Sequence, residues 1–179
     1  MDDVQPLTKP QEPWIGSRGR IAVIIPSTNI GVEYDCQRLL PPGVTWHFCR
    51  FYVGQPDLSS DNMFLAFIEA IRDTIPHAMR DAMTCEPSQI MMGMSAETFW
   101  GGLEGNAEFT DRLREVVGDE IGIATGANAL DASLKAFGAK KVAALTPYQP
   151  VGDEQVHRFL EETGYEVSKV VGLKCDTAT

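Results

Sequence analysis

Two short runs constrain the fold of this chain more than any other feature. Ile21–Ser27 and Val142–Tyr148 each follow a basic residue, each continue as apolar residues, and each break at a proline (Pro26 and Pro147). A continuous apolar run too short for a helix suits a strand buried on both faces, the situation of a strand inside a parallel sheet with helices on either side. Val142 lies 121 residues after Ile21, so the two runs also read as a weak internal repeat. Two buried strands can look alike without being related, and on the repeat alone both explanations stand. If the repeat is structural, two similar α/β halves face each other and both proline turns border one cleft, where open parallel sheets bind ligands.

The rest of the chain alternates between strand and helix patterns in the same way. Thr45–Val53 is β-branched and aromatic and predicts a second strand. Asp61–Met83 carries Phe64, Phe67, Ile68 and Ile71 at helical spacing, with Ser60 or Asp61 as a cap and Pro76 as a kink or break. Gln89–Met92 predicts a third strand and Ala107–Val117 an amphipathic helix. A short strand near Ile121–Ala124 precedes a helix over Ala127–Phe137, with Gly138 as its C-cap. A strand at Lys141–Leu145, a helix at Gly152–Thr163 and a strand at Glu166–Leu173 complete the pattern. The expected fold is therefore α/β, with two pseudo-symmetric halves of parallel sheet and flanking helices: a leader over residues 1–17, a first half over 18–118 and a second over 119–179. By the repeat offset, the counterpart of Gly93 in the second half falls near position 214, so the second half is expected to be incomplete, with a sheet edge and apolar helix faces left open.

Composition narrows the partners. A formal net charge of -10 disfavours nucleic acid, which needs clustered Lys and Arg. No apolar run approaches the roughly 20 residues of a membrane span, and the polar, proline-rich first 17 residues lack the apolar core of a signal peptide, so a cytoplasmic location is the default expectation. Cys36, Cys49, Cys85 and Cys175 sit at wide spacings without metal-ligand pattern, and no metal site is expected. No Gly-x-Gly-x-x-Gly or Walker loop follows a strand, which argues against nucleotide binding.

Three predicted strand ends carry polar groups: Pro26-Ser27-Thr28-Asn29 with Glu33 beyond, Gly93-Met94-Ser95-Ala96-Glu97-Thr98, and Thr146-Pro147-Tyr148. Hydroxyls, an amide and backbone N–H groups suit a carboxylate, or an enediolate whose negative charge develops on carboxylate oxygens. Each hydroxyl can equally serve as a helix cap.

These segments resemble a known family. The strand ending in Pro26–Asn29 with Glu33 four residues on is similar to the N-terminal signature of maleate isomerases. Met92–Ser95, followed by Phe99 and Trp100, resembles the Met-Gly-Thr-Ser segment of arylmalonate decarboxylases, and Ala144–Tyr148 resembles the tyrosine-bearing segment of both. The ordered set covers the chain from Arg18 onward and marks a likeness to the aspartate/glutamate racemase superfamily, in its maleate isomerase and arylmalonate decarboxylase branch. The resemblance implies a cofactor-independent isomerase or decarboxylase acting on a small dicarboxylate or related carboxylic acid, with a homodimer among the expected states. Pro26, Asn29, Gly93, Met94, Ser95 and Tyr148 would bind substrate, with Asn29 donating to a carboxylate and with Ser95 and Tyr148 serving catalysis.

The departures are specific. Racemases and maleate isomerases carry a catalytic cysteine where this chain has Gly93, as arylmalonate decarboxylases do, and Met94 replaces a threonine. The second family cysteine belongs to the strand placed near position 214, outside these 179 residues. Cys175, at the end of an earlier strand, is not assigned to the site. The competing expectation is a carboxylate-binding protein without turnover.

Overall fold

A computed structural model describes residues 15–178. The expected leader therefore lies, for residues 1–14, outside the described residues. Four parallel strands form the main sheet in the order β2-β1-β3-β4: β1 (Gly19–Pro26), β2 (Val44–Phe51), β3 (Gln89–Met92) and β4 (Gly122–Ala124). β1 is central, and Ala22, Val23, Ile24 and Ile25 are fully buried, as a strand covered on both faces must be. Its register with β2 runs from Gly19 opposite Val44 to Pro26 opposite Phe51, and with β3 it places Ile24 opposite Met92.

Two further parallel strands, β5 (Lys141–Thr146) and β6 (Glu166–Gly172), form a separate sheet. The second unit thus holds two strands where the first holds four. α6 (Pro150–Glu162) covers one face, with Val156, Phe159 and Leu160 buried. On the other face Leu145 is 70% exposed, and Phe137, at the end of α5 (Gly126–Ala136), is 89% exposed.

The predicted helix over Asp61–Met83 is two helices, α2 (Asp61–Arg72) and α3 (Ile75–Met83). Pro76 lies in the first turn of α3, where its missing N–H costs nothing. Ser60 caps α2 by accepting from Met63 N. α4 (Gly102–Val117) begins five residues before the predicted start, and Gly101 enters it with φ +78°, a left-handed conformation that strains any other residue. One helix escaped prediction: α1 (Gly31–Arg38) buries only Cys36, so it lacks the apolar stripe by which surface helices are recognised. A single core joins Ile24, Phe51 and Met79 of the first unit to Phe159 and Leu160 of α6. No helix among the described residues is long and apolar enough to cross a membrane.

Candidate functional site

The carboxyl ends of β1, β3, β4 and β5 converge on one cleft of about 610 Å³. Pro26, Asn29, Gly93, Met94, Ser95 and Tyr148, dispersed over more than 120 residues of sequence, all line it. Thr28, from the same strand-end turn as Asn29, joins them, as do Leu58, Phe64, Phe67, Thr125 and Gly126; Cys175, not assigned to the site from the sequence, lines the cleft as well. Thr125 and Cys175 each follow a strand, so the strand-end rule that pointed to Ser95 applied to them as well. Phe64 and Phe67 were readable only as a helix stripe.

Ser95 and Tyr148, both lining the cleft, form a contact between the two units. Ser95 Oγ and the Tyr148 hydroxyl lie 2.5 Å apart, across 53 residues of sequence. Either oxygen can donate. A pair of hydroxyls uses one hydrogen between them and leaves the other for a ligand. Ser95 makes no cap bond to the 3₁₀ turn it precedes (Ala96–Phe99), so its hydroxyl is committed to Tyr148 rather than to capping. Tyr148 is 9% exposed, and its ring packs on Phe64 at 5.6 Å between centroids. Burial pushes the phenol above its ordinary value of 10.0; the Ser95 bond opposes that rise and the Asp153 charge adds to it. The phenol therefore stays protonated, a donor, through the neutral range. Its backbone is set by Thr146 Oγ1, which accepts from Tyr148 N at 3.2 Å and donates to Asp153.

Asn29 both lines the cleft and holds the start of α1. Its Oδ1 accepts from Val32 N at 2.9 Å, capping α1, which leaves the amide N–H groups as the donors it can offer a ligand. Arg50 fixes this loop from behind, donating to Asn29 O at 2.7 Å and pairing with Glu33 at 2.5 Å. The Ser95 turn is held just as firmly. Glu97, 1% exposed, accepts from Arg72 Nε at 2.6 Å and Nη2 at 3.2 Å, with Arg112 at 3.5 Å. Burial raises the Glu97 carboxyl above its usual range, and the two guanidiniums oppose that rise. Thr98 Oγ1 donates to Ser95 O and accepts from Ala127 N, tying the turn to the start of α5.

Gly93 leaves no room for a side chain. A Cβ there would stand 2.5 Å from Ile25 Cγ2 and 3.0 Å from Val32 Cγ1. Met94 flanks it on the wall. Among the described residues the cleft is lined without any Lys, Arg, His, Asp or Glu, and its donors are neutral. The first turns of α1 and α5 both reach it, adding the positive ends of two helices. Cys175 is its one thiol among the described residues. No group of three or more His, Cys, Asp or Glu side chains among the described residues is placed to hold a metal ion.

This architecture is shared with enzymes of known structure. A Nocardia farcinica maleate cis-trans isomerase superposes with a TM-score of 0.75 at 24% identity, over 88% of this chain and 64% of that one. A Pseudomonas putida maleate isomerase gives 0.70 at 22% identity, over 86% and 63%. Arylmalonate decarboxylase gives 0.62 at 22%, also over 86% and 63%. These are the two groups of enzymes whose motifs the sequence resembles, and the chain has their racemase-like α/β fold. It spans less than two thirds of the length of each. No protein-family model matches the sequence, and no curated protein matches it.

Proposed function

We propose that the cleft binds a small dicarboxylate or related carboxylic acid and that the protein is a cofactor-independent isomerase or decarboxylase. The observation that carries this reading is the Ser95–Tyr148 hydroxyl pair, 2.5 Å apart at the meeting of the two units. Beside it stand the Asn29 amide and the first turns of α1 and α5, a set of neutral donors with no Lys, Arg or His lining the cleft among the described residues. Such donors act on charge that develops on carboxylate oxygens and need no rearrangement when it does. Structural neighbours that are maleate isomerases and arylmalonate decarboxylases support the same kind of chemistry.

Two reactions share the intermediate these donors favour. In decarboxylation, the bond from the α-carbon to the leaving carboxylate breaks and CO₂ departs. The electron pair moves into the remaining carboxylate as an enediolate, and a thiol returns a proton to carbon. In isomerisation, a thiolate adds to one alkene carbon, the charge enters the adjacent carboxylate, the new single bond rotates, and the thiolate leaves. A C194S mutant of the Nocardia farcinica enzyme has been solved with a covalently bound succinylcysteine intermediate, in keeping with the second route for that protein. Gly93 supplies no thiol here, which favours the decarboxylase-like version, while Asn29 fits isomerase-like recognition. A cysteine of a longer protein is the proposed thiol, with Cys175, the cleft's one thiol among the described residues, as the alternative.

Incubation with maleate and with an arylmalonate, followed by NMR, tests the activity on a protein extended beyond Thr179. Fumarate or the arylacetate is the expected product, and abolition on replacing the added cysteine identifies the thiol. Persistence in that variant with loss in Cys175→Ala moves the assignment to Cys175. A glycine at position 93, which brings no thiol to the cleft, favours a second reading, a carboxylate-binding protein without turnover. Saturable binding with no product from the extended protein selects it.

A further inference from the structure

The cleft has a neighbour. A groove of about 480 Å³ runs along the outer side of α2, between Met63, Ala66 and Ala70 on the helix and the loop from Tyr52 to Asp57. Phe67 belongs to both cavities. It ends a row of rings that starts at the site: Tyr148 to Phe64 at 5.6 Å, then Phe64 to Phe67 at 6.3 Å. The rest of the partition is firmly anchored. Ser27 Oγ donates to Val53 O and accepts from Val53 N, fixing the start of the loop to the end of β1. Leu58 at its other end donates to Asp176 O and accepts from Gln149 Nε2. Between these tethered ends, half-buried Phe67 is the one side chain among the described residues that lines both cavities.

Resting on the carboxylate reading above, we propose that this groove receives an uncharged apolar arm of the ligand, and that Phe67 sets the arm length the protein accepts. The groove is apolar, and it leaves two large side chains open to water, Tyr52 at 73% and Met63 at 48% exposure. A ligand arm covering them gains by removing apolar surface from water. A second carboxylate at the far end of the arm is disfavoured. Neither cavity has a Lys, Arg or His in its lining among the described residues, and Asp57 stands in the groove. Hydrogen bonds from Ser59 hold the Asp57 carboxyl below its usual range, so it is an anion at neutral pH. The favoured ligand carries its carboxylate at the Ser95–Tyr148 end and an aliphatic or aryl arm toward α2.

Calorimetric titration of the 179-residue chain with phenylacetate and phenylbutyrate tests this. In Phe67→Ala the ratio of affinities should shift about tenfold toward phenylbutyrate, the scale of burying two further methylenes. Adding Ala66→Trp, which fills the groove from an exposed helix position, should cancel the shift. A ratio unchanged in Phe67→Ala with its melting transition intact, or a shift surviving the filled groove, overturns the proposal. Tyr148→Phe separates it from the reading beneath it: both acids should weaken alike. If Tyr148→Phe changes neither while Phe67→Ala still shifts the ratio, the groove stands and the carboxylate site is misplaced. If neither acid binds, both ideas fall.

Discussion

Replacing Tyr148 by Phe removes one oxygen from the lining of the cleft and little else. The ring stays packed on Phe64, and Ser95, whose hydroxyl loses its partner, is exposed and can turn to water. The cost in folding should therefore remain below about 1 kcal/mol, the net value of an ordinary hydrogen bond. The cost in binding is larger because the acceptor is charged. A hydrogen bond to a charged group contributes about 1.5–3 kcal/mol, which is roughly a ten- to 150-fold loss in affinity for a carboxylate. Titration calorimetry with maleate or phenylmalonate measures it, with a thermal melt as the control for folding. The pH dependence supplies an internal check. The folded-state phenol titrates above its ordinary value of 10.0, so wild-type affinity should be flat from about pH 6 to 9 and fall only above about 10. By linkage, its contribution to stability is complete below the unfolded value and is lost as the pH rises toward the folded one. A dissociation constant changed less than about twofold, with folding intact, would refute the role given to Tyr148.

Three other perturbations probe the supports of the site. Glu97→Gln should lower stability by about 2–3 kcal/mol and the melting temperature by about 5–10 °C; the loss lies below that usual for a fully buried pair because Arg72 and Arg112 reach solvent. A variant that melts with the wild type removes Glu97 as the anchor of the Ser95 turn. Gly93→Cys should destabilise the chain by about 1–3 kcal/mol, since Ile25 and Val32 occupy the space its Cβ requires; denaturant unfolding reads this, and an unchanged midpoint would show that the wall yields. Alkylation followed by mass spectrometry should label Cys175 first. It is exposed, Cys36 is buried and Cys49 and Cys85 are half-buried, and burial raises all three of those thiols. Bound carboxylate should slow that labelling; equal rates with and without ligand would place the ligand elsewhere.

Burial leaves a periodic record along a chain, and what that record carries was legible here. β1 announces itself as an apolar run because both of its faces meet other parts of the protein; β3 and β5 read as apolar runs too, although Leu145 of β5 is left exposed on the face away from α6. The break between α2 and α3 follows from Pro76, and the cap at Ser60 from its position before an apolar stripe. The strand-end rule then pointed to Pro26, Asn29, Gly93, Ser95 and Tyr148, because a parallel sheet gathers the carboxyl ends of its strands on one side. α1 escaped because its one buried residue, Cys36, makes no pattern.

What no periodicity contains is which side chain meets which. Ser95 and Tyr148 are each legible at the end of a strand, but their contact depends on how the β5–β6 unit docks on the first sheet. The Asn29 side chain divides between capping α1 and facing the cleft only because the loop is held by Arg50 and Glu33. Glu97 reads as a surface residue until Arg72 and Arg112, 25 and 15 residues away in sequence, close over it. Phe67 looks like core and becomes a wall between two cavities. The sequence by itself determined most of the strands and the polar groups at their ends, because those follow from local pattern and residue chemistry. The tertiary structure alone decided the distances among them, because each distance is set by packing between segments that the chain keeps far apart.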